Sequence, residues 1–419
     1  MRTTNAAASD VAQGGNERPV YFDALFRDVK DHVVKPPEFP TNVRFADTHA
    51  HLDMLHHPEL ALARCMLHHV GYVITVIDPT EEPRYTLENL EGWLHEAQVL
   101  ADEIYGGEKA QGSSAQTYSP RDMRETSLDK QESPSAYRGL RNSHPTLEPF
   151  SATENESSSE RPQGSSAQTY SPRDMRETSL DVQESPSAYR GLRNSHPTLE
   201  PFSATEVRII VGCHPHNAAK YNKDIECALL DTLKDNRARA IGEIGLDYHY
   251  DYSPRDIQQR VYQRQLELAH EYNVPVSLHM REAHDDGLRI LKEVGAPPAG
   301  VLLHCFNLEY ARLEPFLELG CYVAYGGPLT FKKSEEVRDA ARRTPLERIV
   351  TETDAPFMAP HPVRGVVCGP EHVVFTAACL AEVFGIALAA NETAQDEASH
   401  TGALAFYERL FQNTLDFFE

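Results

Sequence analysis

Residues 238–247 read ARAIGEIGLD, and a little further on residues 254–272 read PRDIQQRVYQRQLELAHEY. The first stretch is a short β-rich run. In the second, Ile257, Val261, Tyr262, Leu266 and Ala269 recur at helical spacing, Pro254 suits a first helical turn and Ser253 can cap it. The strand-then-helix unit repeats on either side. Further β-rich runs lie at Val43–His51, Val70–Asp78, Val207–His214, Val274–Arg281, Gly300–Phe306, Cys321–Gly326 and Arg348–Asp354, with helix-like segments between them. Two more helical stretches follow, within Glu371–Phe384 and Asp396–Phe418. Eight strands alternating with helices predict an α/β fold, a parallel (β/α)8 TIM barrel, with a doubly wound open sheet as the alternative.

Ahead of the first strand, residues 1–42 form an N-terminal extension. Its Tyr21, Phe22, Leu25, Phe26, Val29 and Val33 suggest one amphipathic helix, ended by Pro36, Pro37 and Pro40. The barrel, 43–419, is interrupted at 111–206. There Gln111–Glu154 recurs as Gln163–Glu206, two 44-residue copies that differ only at Lys130 against Val182. The block holds no Ile, Trp or Cys and a single Val. Such a composition cannot bury enough apolar surface to offset the entropy of ordering, so it reads as a long disordered duplicated insert between helix 2 and strand 3. A loop from helix to strand lies on the barrel face opposite an active site, so the insert is expected to stay clear of the chemistry.

Composition narrows the function. With 40 Lys and Arg against 63 Asp and Glu the net charge is −23, which excludes a basic nucleic-acid coat protein but not a local basic pocket. There is no apolar run of about 18 residues to span a membrane, and the polar first residues do not resemble a secretory signal. Seven scattered cysteines, without a CxxC, suit reduced thiols in a cytoplasmic protein.

His49 and His51 end the first strand, two apart and therefore on one side of it. Such a pair alone is a weak metal signal. Glu243, His279, His304 and Asp354 also sit toward the C-terminal ends of strands, on the rim where a barrel does its chemistry. Unpaired buried carboxylates and imidazoles cost several kcal/mol, so six on one rim argue for a common partner. Four imidazoles and two carboxylates suit two divalent ions about 3.5–4 Å apart. Histidines favour Zn²⁺ or Mn²⁺, whereas Mg²⁺ prefers oxygen. His214 and His216, ending the third strand, either contact substrate or simply form a turn set by Pro215. Arg281 follows His279 by two, and Lys332 and Arg364 lie on later rim loops; these are the candidates to bind a phosphate, Arg281 above all, because a guanidinium grips two oxygens at once.

These residues sit in ordered motifs: His49-Ala50-His51-Leu52-Asp53, Gly212-Cys213-His214-Pro215-His216, Gly242-Glu243-Ile244-Gly245-Leu246-Asp247, His279-Met280-Arg281, His304-Cys305-Phe306 and Glu352-Thr353-Asp354-Ala355-Pro356. Together they resemble the TatD family of metal-dependent hydrolases and deoxyribonucleases, from about Asp47 to the C-terminus apart from the insert. The resemblance implies a dinuclear centre in which His49, His51, Glu243 and Asp354 hold one ion and Glu243 bridges to a second completed by His279 and His304. It implies that Asp247 supports the centre from behind, and that Mg²⁺ is a usual activator. One motif departs. After Arg364-Gly365 the family usually carries Asn-Glu-Pro, where this chain has Cys368-Gly369-Pro370.

The expected function is a metal-dependent phosphodiesterase, a deoxyribonuclease trimming nucleic acid ends through a metal-activated water, with Asp354 and Glu243 as catalytic carboxylates. Nucleic acid is then the substrate, with no membrane and no obligate protein partner indicated. The alternative is hydrolysis of a carbonyl bond, an amide or an aminoacyl-tRNA ester, since fold does not fix substrate. A third reading, an interaction protein built on the Ser/Pro/Arg repeats, leaves the ligand set unexplained.

Overall fold

Along the strand Val70–Ile77, Tyr72, Ile74 and Val76 join one apolar cluster while Val73 and Ile77 join another. Alternation with both faces buried is what a parallel strand lined by helices requires. The computed structural model carries this pattern through the chain and describes residues 25–40, 42–81, 83–106, 204–386 and 396–419.

In chain order the main elements are β1 (Phe26–Arg27), β2 (Val33–Val34), β3 (Phe45–Ala50), α1 (Pro58–Leu67), β4 (Val70–Ile77), α2 (Pro83–Gly106), β5 (Glu206–Val211), α3 (Lys223–Thr232) and β6 (Ala238–Asp247). Then follow α4 (Arg255–Tyr272), β7 (Val276–Arg281), α5 (His284–Val294), β8 (Val301–Leu303), α6 (Tyr310–Leu317), β9 (Tyr322–Tyr325), α7 (Glu335–Arg343), β10 (Ile349–Thr351), α8 (Val373–Val383) and α9 (Asp396–Phe418). Strands β3 to β10 form one eight-stranded sheet in sequence order, every neighbouring pair parallel. All eight expected strands are present, the shortest trimmed to three residues.

The sheet curls until β10 meets β3, but that seam has no continuous ladder. Thr48 Oγ1 donates to the Thr351 carbonyl (3.0 Å), and Thr351 Oγ1 donates to the Ala46 carbonyl (2.7 Å). Above them the Asp354 amide donates to the His49 carbonyl (2.9 Å) and the His51 amide to that of Ala355 (2.7 Å). Two threonine hydroxyls and a loop thus close the barrel, and the same bonds fix the segments that carry His49, His51 and Asp354.

Inside, Ala46, Tyr72, Ile74, Val76, Ile210, Ala240, Leu302, Ala324 and Val350 pack together with Phe411, Phe417 and Phe418 of α9. Helix α9 therefore covers the bottom of the barrel. Just after α9, Glu419 accepts from Tyr72 Oη (2.9 Å) and Arg208 Nε (3.0 Å) and pairs with Arg239 (3.1 Å).

Three expectations need correction. No helix runs through Leu25–Val33; β1 and β2 form an antiparallel hairpin there. Asp28 explains it, since its Oδ1 accepts from the amides of Lys30 (2.8 Å) and His32 (2.9 Å), a side-chain turn that competes with helix. Tyr21 and Phe22 lie outside the described residues. Second, Ser253 does not cap α4. Its Oγ is turned toward β5's loop, accepting from the Ala219 amide and donating to the His216 carbonyl (both 2.9 Å). Third, the boundary of the repeat block shifts. Residues 107–203 lie outside the described residues, but Thr205 Oγ1 donates to the Val70 carbonyl (2.8 Å) and Glu206 opens β5 beside Tyr72. The end of the second repeat copy is thus barrel, and the expected disorder of the block concerns residues not described.

None of the seven cysteines is in a disulfide. Among the described residues, no helix is long and apolar enough to cross a membrane.

One buried histidine gives the fold a pH dependence. His372, fully buried, accepts at Nδ1 from the Gly369 amide (2.8 Å), so protonating that nitrogen would break the bond. Burial, reinforced by nearby Arg64 and opposed by Glu371, lowers its pKa to about 4 from 6.5. With the folded value below the unfolded one, the stability contributed by the neutral ring is complete above pH 6.5 and is lost as pH falls toward 4. Replacing it with Asn keeps an acceptor and removes the titration. In urea unfolding at pH 7 and pH 4, the wild type should lose about 3 kcal/mol more than His372→Asn. Equal losses would show that His372 does not titrate in this window.

Candidate metal centre

The upper rim gathers its side chains around Glu243, which lies in β6 and is buried. Its two oxygens face different neighbours. Oε2 is 3.3 Å from His49 Nε2 and 3.9 Å from His51 Nε2. Oε1 is 2.5 Å from His279 Nδ1, 2.8 Å from His304 Nε2 and 3.6 Å from His214 Nε2. Asp354 joins the first side, with Oδ1 at 3.6 Å from His51 Nε2 and 3.9 Å from His49 Nε2. All six residues expected as ligands are thus brought together, and His214 joins them. The Nδ1 of His214 also accepts from the His216 amide (3.2 Å), so this residue both caps the turn and faces the cluster.

Close approach of β6 to β7 makes this possible. Gly245 has φ +141° and pairs with His279, whose carbonyl occupies the space a Cβ at position 245 would need. Asp354 (φ 63°) and Cys305 (φ 47°) both sit in the left-handed region, sparsely populated for such residues. The Cys305 amide donates to Glu352 Oε1 (2.5 Å), and the Phe357 amide donates to the Asp354 carbonyl (2.8 Å).

The electrostatics call for positive charge at the middle. Burial alone would raise the Glu243 carboxyl, but His304, His214, His49 and His279 outweigh it and hold it well below the usual carboxylate range. Asp354 is likewise lowered against its burial by a hydrogen bond to His51 and the charges of His304 and His49. Burial opposes charge on His304, yet Glu243 and Glu352 raise its pKa well above normal. His49 goes the other way, lowered by burial and by His304, whose ring stacks on it at 3.9 Å. His214 is lowered by burial to about 4.

The donor set fits divalent cations. Both ring nitrogens of His49 are buried without a hydrogen bond of good geometry, as are His304 Nδ1 and Glu352 Oε2. Two donors each about 2.0–2.2 Å from one ion lie roughly 3–3.5 Å apart, close to the spacing around Glu243. Among the described residues, three groupings could hold an ion: His49 with His51 and Glu243, His214 with Glu243 and His279, and His49 with His304 and Glu352.

A family model described as TatD related DNase matches residues 182–401, just over half of the chain. The chain belongs to the TatD family of metal-dependent hydrolases. It is 37% identical over 173 residues to the uncharacterized metal-dependent hydrolase YabD of Bacillus subtilis, a match covering 41% of this chain and 68% of that one. It is 40% identical over 164 residues to the human 3′-5′ RNA nuclease TATDN2, covering 38% of this chain and 22% of the nuclease. The structure of YJJV, a TatD homolog from Escherichia coli, aligns over 90% of this chain and 98% of its own with a TM-score of 0.54 at 20% identity, a likeness of fold.

Around the TatD-type cluster, Asp247 Oδ2 lies 2.8 Å from His216 Nε2 and 3.2 Å from His279 Nε2, while its Oδ1 accepts from the His249 and Tyr250 amides (both 2.9 Å). Arg281 ends β7 with its guanidinium over the Tyr250 ring (4.7 Å), and no carboxylate pairs with it among the described residues. Lys332 is exposed after β9, and Arg364 lies against the neighbouring Phe331 ring (4.0 Å). Cys368 is fully buried and its thiol is pushed well up by burial, so it is no reactive thiolate.

Two residues escaped the sequence reading. Asp47, buried, accepts from Thr353 Oγ1 (2.5 Å) and from the amides of Thr353 (2.9 Å) and His49 (3.2 Å), tying the first motif to the last. Glu352 reaches 3.5 Å from His304 Nδ1. Its signal was available, a carboxylate two before Asp354, but a strand keeps residues two apart on one face only while it remains a strand, and β10 stops at Thr351. Because Glu352 backs a candidate ligand, Glu352→Gln should weaken divalent-ion binding roughly 10- to 100-fold in a metal titration. Unchanged affinity would remove Glu352 from the centre.

Proposed function

We propose that this protein is a dinuclear phosphodiesterase that removes nucleotides from single-stranded nucleic acid ends. The observation that carries it is the division of Glu243, with one oxygen toward His49 and His51 and the other toward His279 and His304. A carboxylate shared in this way suits two ions, the first completed by Asp354. Bound divalent cations, Mg²⁺, Mn²⁺ or Zn²⁺, would supply an acidified water and neutralise charge developing on phosphate oxygens.

The chain's own groups do the rest. Asp354, held ionised, accepts a proton at its carboxylate. Arg281, without a carboxylate partner among the described residues, grips the non-bridging phosphate oxygens. Asp247 holds His216 and His279 in orientation. His214 and His216 line the approach to the centre, with Lys332 and Arg364 adding positive charge on the β9 and β10 loops. The nuclease relative supports phosphodiester over carbonyl chemistry.

The test is a substrate panel of single-stranded DNA, single-stranded RNA and an aminoacyl-tRNA, each with Mg²⁺, Mn²⁺ or Zn²⁺. Release of mononucleotides is expected; deacylation without strand cleavage would favour the carbonyl reading instead. Within that panel, Arg281→Ala should lower kcat/KM on DNA roughly 30- to 1,000-fold with metal content unchanged. An unaltered kcat/KM would mean that Arg281 does not touch phosphate.

A further inference from the structure

Beside the centre the chain displays an aromatic stack that the chemistry above does not use. The rings of Tyr250 and Tyr252 lie 5.2 Å apart and nearly parallel, at 13°. Arg281 lies over the Tyr250 ring at 4.7 Å. Tyr252 ends the stack. It is 66% exposed, more than any other large hydrophobic residue among those described, and its only other ring partner there is His216, edge-on at 4.8 Å and 76°. A large ring so exposed is unusual unless something covers it.

Its place is informative. From Tyr252 the contacts run through His216 to Asp247, from Asp247 to His279 and from His279 to Glu243. His216 and Asp247 thus stand between the platform and the cluster's inner shell, and Arg281, which has no carboxylate partner among the described residues, supplies positive charge beside Tyr250. The loops after β3, β4 and β5 are acidic. Asp78 and Glu81 share Asn217 there (2.9 and 3.2 Å), and Asp53 adds a third carboxyl whose charge raises the pKa of Glu81 after burial and Asp78. A polyanion is steered away from the three acids and toward Arg281, which brings the groups next to its reacting phosphate onto the tyrosines.

We propose that Tyr252, backed by Tyr250, stacks on the base adjoining the scissile phosphate and so sets how efficiently a base-bearing strand end is held for cleavage. This rests on the phosphodiesterase reading. A ring face accepts any base, so the platform engages a strand end without selecting sequence.

The experiment compares a single-stranded DNA oligonucleotide with the same strand carrying abasic residues at both ends. Stacking of one base predicts that the wild type cleaves the base-bearing strand roughly 5- to 150-fold more efficiently in kcat/KM. Tyr252→Ala should erase that preference while its rate on the abasic strand stays unchanged; Tyr252→Phe should keep the preference. Tyr252→Leu, which keeps bulk against His216 without a π-face, should behave like the alanine variant. A wild type without the preference, or variants slowed equally on both strands, overturns the platform and leaves the phosphodiesterase reading standing. A wild type that cleaves neither strand with any of the three metals overturns both.

Discussion

Asp354→Asn should reduce turnover on single-stranded DNA by roughly 10²- to 10⁴-fold, the span that loss of a positioned proton acceptor covers. The carboxylate lies 3.6 Å from His51 and 3.9 Å from His49, and their charges help to keep it ionised. Asparagine has nearly the same shape but neither the charge nor the basicity. The backbone that presents it, anchored by the bond from the residue 354 amide to the His49 carbonyl, is untouched by the change. Thermal unfolding should therefore stay close to wild type while kcat collapses. A variant that keeps a tenth or more of the wild-type kcat would remove Asp354 from the chemistry.

The second large effect lies away from the centre. Arg64 on α1 and Glu371 ahead of α8 form an ion pair at 2.8 Å with side chains only 1% and 2% exposed. Arg64 also donates to the Leu25 carbonyl (3.1 Å) and lies over the Phe26 ring (5.3 Å), so it joins the N-terminal hairpin to the barrel. Arg64→Met leaves the Glu371 carboxylate buried without its partner and should cost about 3–5 kcal/mol in chemical denaturation. Adding Glu371→Gln should recover much of the loss, because the pair's desolvation disappears with it. If the double variant is as unstable as the single one, packing rather than charge holds this junction. The same pair accounts for the unusual Cys368-Gly369-Pro370 run: a Cβ at Gly369 would collide with the Glu371 carboxylate, so the absent side chain makes room for the acid two residues later.

Much of this architecture was legible in the amino-acid order because it is local. Each strand is a short apolar run, and α4 and α9 carry their own periodicity, so their positions depended on no distant partner. The six candidate ligands were legible because barrel topology converts "end of a strand" into "same rim". What was not legible depends on contacts between distant segments. Asp28 turned a helical-looking stretch into a hairpin, and burial of Phe26 against His68 and Phe375 held it there. Glu352 and Asp47 matter through residues far along the chain, and Ser253 spends its hydroxyl on β5's loop instead of its own helix. The tyrosine stack had no signal of its own, because the Arg281 that lies over Tyr250 comes from the next strand.

Helix α9 has a consequence for how a polymer could be handled. With Phe411, Phe417 and Phe418 filling the floor and the strand side chains packed above them, the barrel has a single mouth. A strand cannot be drawn through it as through a ring. On the proposed phosphodiesterase reading, each released fragment leaves by the opening through which the chain end arrived. Substrate end and product then share one doorway, so free product is expected to compete with the next chain end for the same opening.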